Sequence, residues 1–270
     1  MQVLKLASCM AENTEALCSA VAEILEIELG IPTEYVSGIP WQERERLFDL
    51  GEIQILWLCG LPYVNKADLA DIGMELLAMP VPSGPRYHGR PVYYSDVVVR
   101  RESSFESFVD LHGAAFAYNE PRSHSGFNVV RAYLAELGQR DGYFGSAVES
   151  GAHARSVEMI LSGSIDSAAI DSTVLEWLQA WRTDLADELR VVETIGPSPI
   201  PPWVVSQKLS AGLRQQIRQI LLHLHLNPRG HAALACAQMA KFIEAEDRDY
   251  DPIRRMACQA ERVLLAQSLC

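Results

Sequence analysis

Val3-Leu4-Lys5-Leu6-Ala7, then a segment with Leu17, Val21, Ile24 and Leu25 at i, i+4, i+7 and i+8, then Gly30, Pro32 and Glu34-Tyr35-Val36, is the stretch that decides the fold. The first five residues read as a strand. The spacing that follows puts its apolar residues on one stripe of a helix, which Asn13 or Thr14 can cap and which Gly30 and Pro32 end. Glu34 to Val36 reads as a second strand, Trp41 to Leu50 as a second helix, and Ile53 to Cys59, rich in β-branched and aromatic residues, as a buried strand. Strands that alternate with helices must cross over between neighbours, which implies a parallel sheet.

Outward from that start, Met79-Pro80-Val81-Pro82-Ser83-Gly84-Pro85 reads as a turn-rich stretch, and Pro91 to Arg100 as an extended run long enough to cross between lobes. A second series follows: strand Ala115 to Tyr118, helix Ser125 to Leu137, strand Phe144 to Val148, helix Ala152 to Leu161 and strand Ser167 to Ile170. Leu189 to Ile195 and Ile200 to Val205 read as extended again. The remainder reads as helical over Ala211 to Leu224, Ala232 to Ala240 and Asp251 to Gln267. The expected architecture is α/β in two lobes, with residues 1–95 and 199–270 forming lobe 1 and residues 96–198 forming lobe 2.

The composition fits that expectation. At 270 residues the chain reaches the size at which single cores stop growing, and with 49% hydrophobic and 21% charged residues it is neither disordered nor fibrous. A net charge of −12 argues against nucleic acid or an anionic lipid surface as partner. The longest apolar stretch, Ile53 to Val64, contains Gln54 and Gly60 and falls short of the roughly 20 residues a membrane helix needs, so the chain is not expected to span a membrane. Met1 to Leu6 lacks the pattern of a secretory signal. The protein is therefore expected to be periplasmic or otherwise extracytoplasmic if a leader has been removed, and cytoplasmic if Met1 is the native start. The six cysteines form no Cys-x-x-Cys pair and read as buried free thiols rather than a zinc site or disulfide framework.

The segment richest in chemistry is Asn119-Glu120-Pro121-Arg122-Ser123-His124-Ser125-Gly126-Phe127, between a strand and an amphipathic helix. Two serines two apart, followed by a glycine at which backbone can approach closely, can offer O–H and N–H donors to one oxyanion at the positive end of a helix dipole. The plainer reading is that Ser123 or Ser125 only caps the helix. Glu149-Ser150-Gly151-Ala152-His153 also joins a strand to a helix, so the two helix starts could converge. Asp171 ends a third strand on the same rim, where ligands of open α/β sheets collect, or else caps the helix beginning near Thr173. His223, His225 and His231 do not form a metal set, because i and i+2 positions of a helix do not face one another. No metal and no cofactor are expected. Nucleophile-elbow, phosphate-loop and dinucleotide-binding fingerprints are absent from the sequence.

Taken in order, Val92-Tyr93-Tyr94-Ser95-Asp96-Val97-Val98-Val99, Phe108-Val109-Asp110-Leu111-His112-Gly113, Ser123-His124-Ser125-Gly126-Phe127, Gly151-Ala152-His153 and Ile165-Asp166-Ser167-Ala168-Ala169-Ile170-Asp171 make the chain resemble a known family. It resembles the phosphonate-binding, PhnD-like family of ABC-transporter substrate-binding proteins, most strongly over residues 92–175. The resemblance implies the type II periplasmic-binding-protein fold, two α/β lobes, each a mixed sheet flanked by helices, joined by two crossover strands that act as a hinge, with ligand in the cleft. It also implies that Ser123, His124 and Ser125 hold the phosphonate oxygens, that His153 donates from the neighbouring helix start, and that Tyr93 and Trp41 supply aromatic contacts. Family members that bind aminoalkylphosphonates surround the amino group with carboxylates. Here the stretch after Asp171 offers Ser172 and Thr173, and the loop after Ile200 offers Trp203, which disfavours aminoethylphosphonate.

Two functional readings follow. The first is a non-catalytic binding protein that captures a small phosphonate, phosphite or phosphate oxyanion between its lobes for an ABC permease or a sensor. The second is a cytosolic enzyme on the same fold, similar to those of menaquinone or thiamine-pyrimidine biosynthesis, in which Asp171, His153 or Cys59 would act as acid, base or nucleophile.

Overall fold

The computed structural model describes residues 3–69 and 73–267. In chain order the main elements begin with β1 (Leu4–Ser8), α1 (Glu15–Leu29), β2 (Thr33–Tyr35), α2 (Trp41–Leu50), β3 (Ile55–Trp57), α3 (Gly60–Ala67), β4 (Met74–Pro82) and β5 (Val92–Arg100). The chain continues through β6 (Ala115–Tyr118), a π-helical turn (His124–Asn128), α4 (Val129–Glu136), β7 (Asp141–Phe144), β8 (Ser146–Glu149), α5 (His153–Leu161), β9 (Ser167–Asp171), α6 (Ser172–Trp181), α7 (Leu185–Glu188) and β10 (Leu189–Pro199). It closes with β11 (Trp203–Ser206), α8 (Ala211–Leu222), α9 (Pro228–Cys236), β12 (Met239–Ile243), α10 (Asp251–Ala260) and β13 (Leu264–Ala266). Two compact units result: Met1–Val92 with Pro199–Tyr250, and Tyr93–Ser198 with Asp251–Cys270.

Among the described residues the first unit carries one sheet in the order β12-β4-β11-β3-β1-β2. The β1/β2 and β1/β3 pairs are parallel, as the alternation of strands and helices requires, whereas β11 returns antiparallel to both β3 and β4. Its core is aromatic where β3 meets β11. Trp57 and Trp203 lie 5.4 Å apart, and the Trp57 indole N–H donates to the Pro201 carbonyl at 3.0 Å, which satisfies a buried polar group in the middle of the packing.

The second unit is built on the sheet β10-β5-β9-β6-β8, with β6 parallel to β8 and β9, and β5 antiparallel to β9. β9 (Ser167–Asp171) is buried along its whole length, as a strand flanked on both sides must be. Its core gathers Val97, Val99, Phe116, Val129, Val130, Leu134, Phe144 and Ala169, with Phe116 stacked on Phe144 at 4.3 Å.

Several elements depart from the sequence expectation. The stretch read as turn-rich, Met79 to Pro85, is largely strand: β4 runs to Pro82. Residues 74–78 of β4 pair with β11 and residues 79–82 with β12, so Pro80 and Pro82 fall in the half paired on one side, where a missing N–H is tolerated. The single strand expected over Phe144 to Val148 is broken at Gly145, where the Gly113 carbonyl comes so close that no side chain would fit. Ala232 to Ala240 is helical only to Cys236, and Met239 begins β12. The helix expected over Asp251 to Gln267 ends at Ala260, and Leu264 to Ala266 pair in parallel with β7.

The division at the C terminus differs too: the expectation gave all of 199–270 to lobe 1, whereas Asp251–Cys270 cluster with the second unit. The cause is local. α10 packs on α4, Val263 and Leu265 enter the second unit's core, and Arg131 of α4 donates to the carbonyls of Val263 at 2.8 Å and Glu261 at 3.3 Å.

Candidate functional site

The chain leaves β6 at Tyr118 and turns into the helix that carries the serines. Ser123 is the N-cap: its hydroxyl oxygen accepts from the Gly126 N–H at 3.1 Å, and its carbonyl accepts from the Asn128 N–H at 3.0 Å. The second bond spans five residues and makes the first turn a π-turn, wider than an α-turn and frequent at functional sites. Gly126 is required here, because a Cβ would run into the Asn119 side chain and lie 3.3 Å from the Asn119 backbone nitrogen. The first N–H groups of such a turn have no intrahelical acceptor and carry the positive end of the dipole.

A second helix start is anchored beside the first. The Ser150 N–H donates to the Tyr118 carbonyl at 2.8 Å and the Gly151 N–H to the Asn119 carbonyl at 2.9 Å, which ties the β8–α5 loop to the end of β6. His153 is the first residue of α5, and its Nε2 lies 3.1 Å from Ser125 Oγ. The convergence expected of Ser125 and His153 is thus realised as a direct contact between two buried side chains.

The electrostatics are those of a neutral donor set. Burial pulls the His153 imidazole down to about 4 and that of His124 to about 3, so both are uncharged near neutral pH. With Nε2 protonated, His153 donates to Ser125 Oγ and frees the serine hydrogen to point elsewhere. Nδ1 of His153 is buried with no hydrogen-bond partner. The cations next to these turns in sequence, Arg122 and Arg155, are exposed. The buried side chains at the two turns are thus uncharged hydroxyls and imidazoles.

The other expected residues sit as follows. His124 is fully buried, but its ring turns away from Ser125 and His153: Nε2 meets Ser198 Oγ at 2.9 Å and Nδ1 meets Asn128 Nδ2 at 3.1 Å. Tyr93, buried on β5, packs its ring 6.4 Å from that of His124. Asp171 caps α6, where its Oδ1 accepts from the Thr173 N–H at 2.8 Å and the Thr173 hydroxyl at 2.7 Å. Burial pushes this carboxyl up to about 6, against the lowering effect of those bonds and with a contribution from the Asp96 charge. Trp41 opens α2 in the first unit, half-buried, and its carbonyl accepts from Cys9 Sγ at 3.5 Å. Asn128, Ser198 and Asn119 are the residues that sequence reasoning did not single out. Asn128 follows His124 by one helical step of four, a spacing that could have pointed to it, whereas Ser198 is 74 residues away and no local pattern places it beside His124.

Among the described residues no helix is long and apolar enough to cross a membrane, and no group of three or more His, Cys, Asp or Glu could hold a metal ion.

Comparison with known proteins adds four findings. The family described as ABC transporter, phosphonate, periplasmic substrate-binding protein matches residues 7–250. A curated relative, a probable ABC transporter phosphite binding protein of Prochlorococcus marinus strain MIT 9301, is 18% identical over 97% of this chain and 91% of its own length. Among solved structures, that organism's PhnD1 in complex with methylphosphonate superposes with a TM-score of 0.84 at 19% identity, covering 97% of this chain and 99% of the other. A binding protein component of the ABC phosphonate transporter of Pseudomonas aeruginosa superposes with a TM-score of 0.83 at 18% identity, covering 96% and 86%. These similarities establish the two-lobed fold of periplasmic binding proteins.

Proposed function

The chain belongs to the family of phosphonate periplasmic substrate-binding proteins of ABC transporters, and from that premise we propose that it captures a small phosphorus oxyanion of the phosphonate, phosphite or phosphate class at the paired helix starts of its second unit. The family is one of transporter binding components, so the enzyme reading on the same fold is not supported. The observation that carries the site is the contact of Ser125 Oγ with His153 Nε2, which brings the first turns of two helices and their buried neutral donors together. Ser123 and Ser125 would present hydroxyls, the first backbone N–H groups of the π-turn would complete the cradle, and His153 would orient Ser125. Tyr93 and Trp41 are proposed as aromatic contacts, and Asp171 as a group on the same rim. Function with an ABC permease outside the cytoplasmic membrane follows from the family and is part of the proposal.

The test is a thermal shift of the purified protein against phosphate, phosphite, methylphosphonate, aminoethylphosphonate and sulfate, with mass spectrometry of any ligand that co-purifies. A saturable rise in Tm with a phosphorus oxyanion is expected, following from mass action on the folded state. The absence of any rise, with an organic metabolite recovered instead, would overturn the proposal.

A further inference from the structure

His124 sits in the middle of the serine turn, and its environment differs from that of the serines. Both of its ring nitrogens are used. An amide NH2 can only donate, so Asn128 Nδ2 makes Nδ1 of His124 an acceptor, and the ring proton must lie on Nε2, from which it is donated to Ser198 Oγ. The Ser198 hydroxyl in turn faces Met256 Sδ at 3.9 Å. The ring is fully buried, as are Ser198 and Asn128, and burial keeps it neutral. Nothing on the side chain is left to meet a ligand.

The partners of this ring lie at particular places in the chain. Ser198 is the last residue of the second unit before the chain passes to the first, and Tyr93, whose ring packs beside His124, is the residue at which the chain enters the second unit. We propose that His124 is a positioning residue, whose imidazole ties the anion-binding turn to Ser198 and Tyr93, so that occupancy of the turn is felt at both crossover segments. The inference rests on the anion site proposed above. A ligand oxygen bound by Ser123, Ser125 or the N–H groups on either side pulls on backbone one residue from His124. The neutral ring is a rigid plane with two directed bonds, and it passes that displacement to β10 through Ser198 and to β5 through packing on Tyr93.

Hydrogen exchange read by mass spectrometry on the wild type, Ser198→Ala and Ser198→Thr, each with and without saturating methylphosphonate, tests this. In the wild type the ligand is expected to slow exchange in peptides covering 123–129, 93–99 and 192–198. In Ser198→Ala protection should persist over 123–129 and 93–99 and vanish from 192–198, while Kd for methylphosphonate rises roughly fivefold to tenfold, the scale of one lost hydrogen bond. Ser198→Thr, which keeps the hydroxyl, should restore both. Protection over 192–198 in Ser198→Ala equal to that of the wild type would overturn the inference while leaving the anion site intact. Protection nowhere in the wild type would overturn the anion site and this inference with it. Nitrogen NMR of the wild type provides a check that needs no variant: His124 should show its proton on Nε2, and a proton on Nδ1 would contradict the assigned network.

Discussion

Lowering the pH from 7 to 5 should cost the second unit about 2–3 kcal/mol of folding stability through three buried groups. The unfolded chain binds a proton at each histidine below about 6.5, whereas in the folded unit His124 stays neutral to about 3 and His153 to about 4. Protons therefore favour the unfolded chain throughout this window, and stability falls as pH drops. At pH 5 each histidine contributes a loss of about 2 kcal/mol relative to pH 7. Asp171 opposes them. Its carboxyl is raised from 3.8 to about 6, so the folded state takes up its proton first, and acidification to pH 5 returns about 1 kcal/mol. The sum is a net loss of about 2–3 kcal/mol, which is a large part of the margin of a typical domain. Urea denaturation between pH 5 and 7, followed by tryptophan fluorescence, measures it, and the slope should fall by about 2 kcal/mol over the interval in His153→Gln. A flat profile in the wild type, or an unchanged slope in His153→Gln, would refute the reasoning that these rings are buried neutral.

Two further substitutions probe the cradle. Gly126→Ala drives a methyl into Asn119 and its backbone nitrogen, and should cost about 1–3 kcal/mol in chemical denaturation while it weakens methylphosphonate binding. Asp171→Asn keeps an oxygen to cap Thr173 but removes a buried charge. It should stabilise the protein by up to about 3 kcal/mol at pH 8, a gain that disappears near pH 4 where the native aspartate is itself protonated, and a loss of stability at pH 8 would contradict the direction of its shift.

The alternation of strand and helix was readable because each amphipathic stripe, such as Leu17, Val21, Ile24 and Leu25, states its own period, and those residues are buried on one face of α1. β4 was not, because Pro80 and Pro82 speak locally for a turn, and only the staggered pairing with β11 and β12 makes them acceptable in a strand. β13 was hidden for a related reason: Val263 and Leu265 continue an apolar pattern that a helix would also satisfy, and the choice is made by β7 and Arg131. In the site, the meeting of Ser125 and His153 was legible because each follows one of two parallel strands, and the adjacent strands β6 and β8 put their ends side by side. The role of His124 could not be read. A histidine between two serines looks like a third donor, and only the fold brings Ser198 to its ring.

The most direct measurement is isothermal titration of methylphosphonate into the wild type and into Ser125→Ala. Saturable one-to-one binding is expected for the wild type, with Kd raised at least about tenfold in Ser125→Ala, since loss of a buried hydrogen bond to a charged group is worth about 1.5–3 kcal/mol, while the free variant still unfolds in a single cooperative transition. Binding of equal strength by both proteins would show that the phosphorus oxyanion does not lie at the junction of the two helix starts.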